Sequence, residues 1–125
     1  MRTRILIIDD EVDFTELAQV ALERGGEFEV RTLNDATNCL DVAREFKPDL
    51  IVSDIVMPNK DGAEIVRELK QDEELKSIPI IVMSALLNNS AVAYKSIGQL
   101  DVAQILEKPI TLDELREYIR SALKK

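Results

Sequence analysis

Five polar residues fall where chemistry could be done. Asp9 and Asp10 close the run Ile5-Leu6-Ile7-Ile8, Asp54 follows Leu50-Ile51-Val52-Ser53, Ser84 follows Ile80-Ile81-Val82-Met83, and Lys108 follows Leu106-Glu107. If each apolar run is a strand of an open parallel sheet, all five lie beyond its carboxyl end, where such sheets bind ligands. Singly, each has an ordinary explanation: an aspartate after a strand caps a helix or a turn, and a lone serine or lysine is structural or surface. Together they are three carboxylates, a hydroxyl and an ammonium at successive strand ends. Carboxylates about 5 Å apart repel by roughly 3 kcal/mol per pair at an effective dielectric near 20. Either one of them takes up a proton or a cation sits among them. With no histidine and a single cysteine, Cys39, the all-oxygen ligand set favours a hard ion, Mg²⁺. A carboxylate nucleophile, a divalent ion, a lysine and a hydroxyl donor are the parts needed to transfer a phosphoryl group to an aspartate.

The elements that must hold these residues are legible from periodicity. Continuous apolar runs at 5–8, 50–52 and 80–83, with Phe28–Leu33 and 102–106, read as five strands. Phe14, Leu17, Ala18, Ala21 and Leu22 share one helical face, with Asp13 and Glu16 as an N-cap pair and Gly25-Gly26 as the stop. Ala36, Cys39, Leu40 and Ala43 mark a second helix that Lys47-Pro48 ends. Ile65, Val66 and Leu69 mark a third, and 90–98 a fourth. Thr111 and Glu114 form a capping box for a last helix facing inward through Leu112, Leu115, Ile119, Ala122 and Leu123. Five strands alternating with five helices, the strands apolar on both faces, predict an α/β fold with a parallel sheet covered by helices on both sides.

Composition narrows the function. The chain has 125 residues, of which 24 are acidic and 16 basic, for a net charge of −8. One domain is expected. The negative balance disfavours direct contact with nucleic acid. The missing histidine excludes Ser-His-Asp and Cys-His catalysis and any internal histidine phosphate carrier. No run approaches a membrane span, and the apolar stretch after Arg4 stops at Asp9, too soon for a signal peptide. A cytoplasmic location is expected.

The ordered pieces Ile7-Ile8-Asp9-Asp10-Glu11, Pro48-Asp49-Leu50-Ile51-Val52-Ser53-Asp54, Met57-Pro58-x-x-Asp61-Gly62, Pro79-Ile80-Ile81-Val82-Met83-Ser84-Ala85 and Leu106-Glu107-Lys108-Pro109 span nearly the whole chain. In them the sequence resembles a response-regulator receiver domain of two-component signalling. The resemblance implies a doubly wound, flavodoxin-like (βα)5 fold with sheet order 2-1-3-4-5, filling residues 1–125 as a single receiver domain. It implies that Asp54 is the phosphoacceptor, attacking the phosphoryl group of a partner's phosphohistidine. Asp10 and Asp54 would bind Mg²⁺ directly, with Asp9 acting largely through water and the backbone carbonyl of Val56 as a further ligand. Lys108 would neutralise the acyl phosphate, Ser84 would donate its hydroxyl to a phosphoryl oxygen, and Pro109 would hold the next turn, often through a cis bond. The implied partners are a sensor histidine kinase or histidine phosphotransfer protein and a downstream target or effector domain. The face formed by helix 90–98 and the last helix would be a candidate dimer surface. Such a domain is not an enzyme with turnover; it catalyses its own phosphorylation and slow dephosphorylation.

Three departures from the family pattern bear on switching. Ile105 stands where Tyr or Phe is usual, and an isoleucine cannot report movement of Ser84 through a hydroxyl. The Gly-Ala-Asp-Asp-Tyr pattern before the fifth strand is replaced by Gly98-Gln99-Leu100-Asp101-Val102-Ala103. Tyr94 is a candidate substitute for the missing aromatic. A receiver-like scaffold that phosphorylation does not switch is therefore the alternative. A small Mg²⁺-dependent aspartyl-phosphate phosphatase is a weaker one, since Val56 stands where such enzymes carry a second acid. A flavin-binding protein of this fold is disfavoured by Asp9-Asp10-Glu11, which would repel the flavin phosphate. The third departure is Val56 with Leu86, apolar side chains at positions that flank the expected path of attacking water. They predict a long-lived phosphoryl group. The double variant Val56→Asn, Leu86→Glu should lose phosphate several times faster in a decay assay; a rate no faster than the parent's would refute the assignment.

Overall fold

The computed structural model describes residues 2–55, 62–84 and 102–124. Strands β1 (Thr3–Ile8), β2 (Phe28–Leu33), β3 (Leu50–Asp54), β4 (Ile80–Ser84) and β5 (Gln104–Glu107) form one sheet, parallel throughout, in the order β2-β1-β3-β4-β5. Four α-helices are described: α1 (Val12–Glu23), α2 (Cys39–Phe46), α3 (Gly62–Gln71) and α4 (Leu112–Leu123). The α/β class and the sheet order agree with the expectation. The helix expected over 90–98, with Tyr94, lies outside the described residues, as do Val56, Met57, Pro58, Asp61 and Leu86.

Alternation along the strands explains the two-sided burial, because successive side chains point to opposite faces. Leu6, Ile8, Ile51, Ile80 and Val82 pack with Ala36, Cys39 and Ala43 beside α2 and with Ile65, Val66 and Leu69 of α3. Ile5, Ile7, Leu50, Val52, Ile81 and Met83 point the other way, onto Ala18 and Leu22 of α1 and Leu115 and Ile119 of α4. A strand buried on both faces is apolar through its middle, and its polar side chains come at its carboxyl end: Ser53 and Asp54 close β3, Ser84 closes β4, and Asp9 follows β1.

Several element boundaries differ from the sequence reading, each for a local reason. Helix α1 starts at Val12 with Glu11 as its N-cap, not at Asp13, because the Asp9 carboxylate takes the Glu11 N–H at 2.9 Å and turns the chain early. Its buried face is Thr15, Ala18 and Leu22, so Leu17 is 62% exposed instead of packed. The apolar positions of this helix cover a wide arc, and the sheet meets its edge. Strand β3 runs two residues beyond the apolar run because Ser53 and Asp54 still pair with Val82 and Met83. Strand β5 begins at Gln104, two residues later than expected. Ala36 starts a 3-10 turn capped by the Asp35 carboxylate, and α2 proper begins at Cys39. Pro48 denies Lys47 the right-handed helical conformation, and Lys47 takes φ 54° to close α2.

Two sets of helix bonds match their elements closely. Thr111 Oγ1 accepts the Glu114 N–H at 3.1 Å while Glu114 Oε1 accepts the Thr111 N–H at 3.0 Å, the expected capping box. On the outer side of β2, Gln19 Nε2 donates to the Val30 carbonyl at 2.9 Å and Glu23 Oε2 accepts the Val30 N–H at 2.9 Å. Among the described residues no helix is long and apolar enough to cross a membrane.

Ile7, fully buried between β2 and β3 partners, tests this packing. Ile7→Ala should cost about 2–5 kcal/mol, seen as a lower urea midpoint with an unchanged slope. A loss well under 1 kcal/mol would contradict the arrangement.

Candidate functional site

The register of the sheet assembles the site. Ile8 lies opposite Ser53, Asp54 opposite Met83, and Ser84 opposite Glu107. The residues that follow these positions therefore converge at one corner. Main-chain bonds carry the alignment past the strand ends: Asp9 N donates to Leu33 O at 2.9 Å, Ile55 N to Met83 O at 2.9 Å, and Lys108 N to Ser84 O at 3.0 Å. The Lys108–Pro109 peptide is cis, as the resemblance implied.

At that corner the Lys108 ammonium lies 2.8 Å from Asp9 Oδ2, 2.7 Å from Glu11 Oε1 and 3.3 Å from Asp54 Oδ2. It also stands 5.3 Å from the centre of the Phe14 ring, a cation–π contact. Asp9 is fully buried, Asp54 is 6% exposed, and the Glu11 side chain reaches in from solvent. Carboxylate oxygens of Asp9, Glu11 and Asp54 lie within 4.8 Å of one another. Burial is the strongest influence on Lys108 and works to lower its pKa. Its hydrogen bonds to Asp9 and Glu11, with the charges of Asp54 and Asp9, together outweigh it, so the pKa is raised above its ordinary 10.5. Because the folded value is the higher one, the stabilisation Lys108 supplies is complete below pH 10.5 and is lost only as pH rises through the raised value.

The structure thus brings together Asp9, Asp54 and Lys108, with Ser84 fully buried at the next strand end. Asp10 is exposed, and its carboxylate is not among the clustered oxygens. Glu11 is, and sequence reasoning did not single it out. Its signal was its place directly after the two aspartates, where an N-cap's side chain can fold back over a strand end. Ile105, in register with Val82, is partly buried against the cluster beneath α2 and α3. Val56 and Leu86, which the sequence also marked, lie outside the described residues. Three carboxylates against one ammonium leave an excess of two negative charges, and all the donors are oxygen. That donor set fits a hard divalent cation. A shallow cavity of about 370 Å³, lined by Glu11, Phe14, Lys108, Pro109 and Ile110, opens beside it.

Comparison with known proteins identifies the family. A family model described as the response regulator receiver domain matches residues 5–120. The response regulator Rre1 of Synechocystis is 31% identical over 121 residues, covering 95% of this chain and 51% of Rre1. The polar-differentiation response regulator DivK of Brucella anthropi is 33% identical over 123 residues, covering 98% of each chain. The chain therefore spans about half the length of Rre1 and nearly all of DivK. Among solved structures, the chemotaxis protein CheY4 of Vibrio cholerae matches with a TM-score of 0.86 at 24% identity, over 98% of this chain and 100% of that one. At that identity the likeness concerns the fold.

Removing the ammonium should expose the charge imbalance. Lys108→Met leaves a buried carboxylate at Asp9 without its partner and should lower stability by about 3 kcal/mol near neutral pH without divalent ions. Because ammonium and ion compete for the same oxygens, MgCl₂ should raise the Tm of the variant more than that of the parent. Equal shifts in a thermal-melt titration would argue against a shared site.

Proposed function

The chain belongs to the response regulator receiver family, and from that premise we propose that it is a phosphorylation-controlled binding module of two-component signalling with Asp54 as its phosphoacceptor. Receiver domains are signalling modules and not classical enzymes. The observation that carries the proposal is the nearly buried Asp54 carboxylate at the end of β3, 3.3 Å from Lys108 and grouped with Asp9 and Glu11. We read residues 1–125 as one receiver unit.

In this reading a partner's phosphohistidine is brought to Asp54. An Asp54 carboxylate oxygen forms a bond to phosphorus as the phosphorus–nitrogen bond breaks, and the electron pair returns to the imidazole, which takes a proton from solvent. Lys108 turns from its carboxylate partners toward the transferred phosphoryl oxygens and neutralises them. Ser84, at the adjoining strand end, donates its hydroxyl to one of those oxygens. Asp9 and Asp54, with Glu11 beside them, would supply oxygens for Mg²⁺, and Asp10 and the Val56 carbonyl are the further ligands that the resemblance implies. Mg²⁺, when bound, offsets the negative charge that keeps an anionic phosphoryl group away from a carboxylate nucleophile. Val56, Leu86 and Ile105 adjust lifetime and switching, and Pro109 holds the turn after Lys108.

The donor is a sensor histidine kinase or a histidine phosphotransfer protein, because the chain has no histidine of its own. Whatever delivers the phosphoryl group must cover the rim of the site. Phe14 and Ile110 wall the cavity beside Lys108, and Leu17 and Val20 of α1 are exposed apolar side chains. Exposed apolar side chains beside a charged centre suit contact with another protein. The output is a protein contact or an effector domain, not direct nucleic-acid binding by this unit, given its net charge of −8.

Acetyl phosphate with Mg²⁺ tests the assignment. Labelling should reach about one phosphoryl group per chain in the parent and disappear in Asp54→Asn. Full labelling of Asp54→Asn would overturn it.

A further inference from the structure

Asn34, just past the end of β2, belongs to none of the roles above, yet its side chain touches the segment that carries the acids. Its Nδ2 donates to the main-chain carbonyl of Asp9 at 2.8 Å and to Thr15 Oγ1 at 2.9 Å. A carbonyl only accepts, so the amide orientation is settled by the contact itself, and the two hydrogens of one nitrogen serve the two acceptors. Thr15, buried in the face of α1, passes the connection on: its hydroxyl donates to the Val12 carbonyl at 3.0 Å. Asp9 Oδ1 in turn accepts the Glu11 N–H. Residues 9–12 are thereby pinned from both sides, at Asp9 by Asn34 and β2, and at Val12 by Thr15.

That segment gains from being held. It carries Asp9, Asp10 and Glu11 in succession, and like charges push such a loop open. Lys108 offsets part of that repulsion at the side chains, and hydrogen bonds to the main chain restrain the loop itself. A three-residue link from β2 through α1 does so without adding charge. We infer that Asn34 is a positioning residue that pre-organises the acid loop for cation binding, acting on Asp9 directly and on Val12 through Thr15. The inference rests on the reading of this corner as a Mg²⁺-assisted phosphoacceptor site, and it extends that reading to residues outside the charged cluster.

The test compares the parent, Asn34→Ala, Thr15→Val and Thr15→Ser. Mg²⁺ affinity is measured by following amide signals during titration with MgCl₂, and amide exchange at Glu11 is measured in the ion-free protein. Loss of a group that orients metal ligands lowers metal affinity by about tenfold or more. Asn34→Ala should show that loss, with faster exchange at Glu11 and an unfolding midpoint in urea close to the parent's. Thr15→Val should move both readouts the same way, and Thr15→Ser, which keeps the hydroxyl, should restore them. At saturating MgCl₂ the acetyl phosphate labelling rate of Asn34→Ala should return toward the parent's, since the defect lies in holding the ion. If Asn34→Ala does not fold, the Thr15 pair decides. A parent that binds Mg²⁺ while Asn34→Ala and Thr15→Val bind it within twofold would overturn the role of Asn34 and leave the site reading standing. A parent that neither binds Mg²⁺ nor is labelled would overturn both.

Discussion

One ammonium makes this corner of the molecule tolerable. Lys108 touches Asp9, Glu11 and Asp54 at once, and without it three carboxylates would repel across distances of under 5 Å in a largely buried setting. At an effective dielectric near 20 each such pair costs about 3 kcal/mol, a large share of the stability of a domain this size. The ammonium removes part of that cost and leaves a residue of negative charge, so the corner is stable and still attractive to a cation. Phe14 beneath the lysine and the bond from Lys108 N to Ser84 O hold it there.

The rest of the fold can be understood as the means of bringing that lysine to those acids. Asp9 and Lys108 are separated by 99 positions in the chain, and a parallel sheet makes them neighbours because every strand ends at the same side. The order β2-β1-β3-β4-β5 puts β1 and β3 side by side, so Asp9 and Asp54 meet directly, with β4 and β5 bringing Ser84 and Lys108 from the other flank. Burial of both faces of the sheet under α1 and α4 on one side and α2 and α3 on the other leaves the strand ends as the place where polar groups can gather.

Much of this was legible in the sequence because strand and charge coincide. Ile5, Leu6, Ile7 and Ile8 can only be a buried strand, and the acids that follow must sit at its end; the same logic located Asp54, Ser84 and Lys108. The reading weakened where geometry depends on a turn. Glu11 had no role in the sequence reading, and its N–H bond to the Asp9 carboxylate, two residues back, is a turn contact that periodicity does not reveal. Leu17 looked like core because the apolar arc of α1 is wider than the face the sheet can cover. Asn34 carries no pattern at all: an asparagine after a strand is an ordinary turn residue, and its partners Asp9 and Thr15 lie 25 and 19 positions away.

The bonds from Gln19 and Glu23 to Val30 have a meaning beyond the local one. Strand β2 is an outermost strand, and such a strand offers unpaired main-chain donors and acceptors to any other chain that presents an extended segment. At the middle of β2 the donor and the acceptor that face outward are already occupied by side chains of α1. An incoming strand would find the ladder interrupted where it most needs continuity, and an acidic surface repelling a second copy of itself. The β2 edge is thereby a poor template for pairing with another chain.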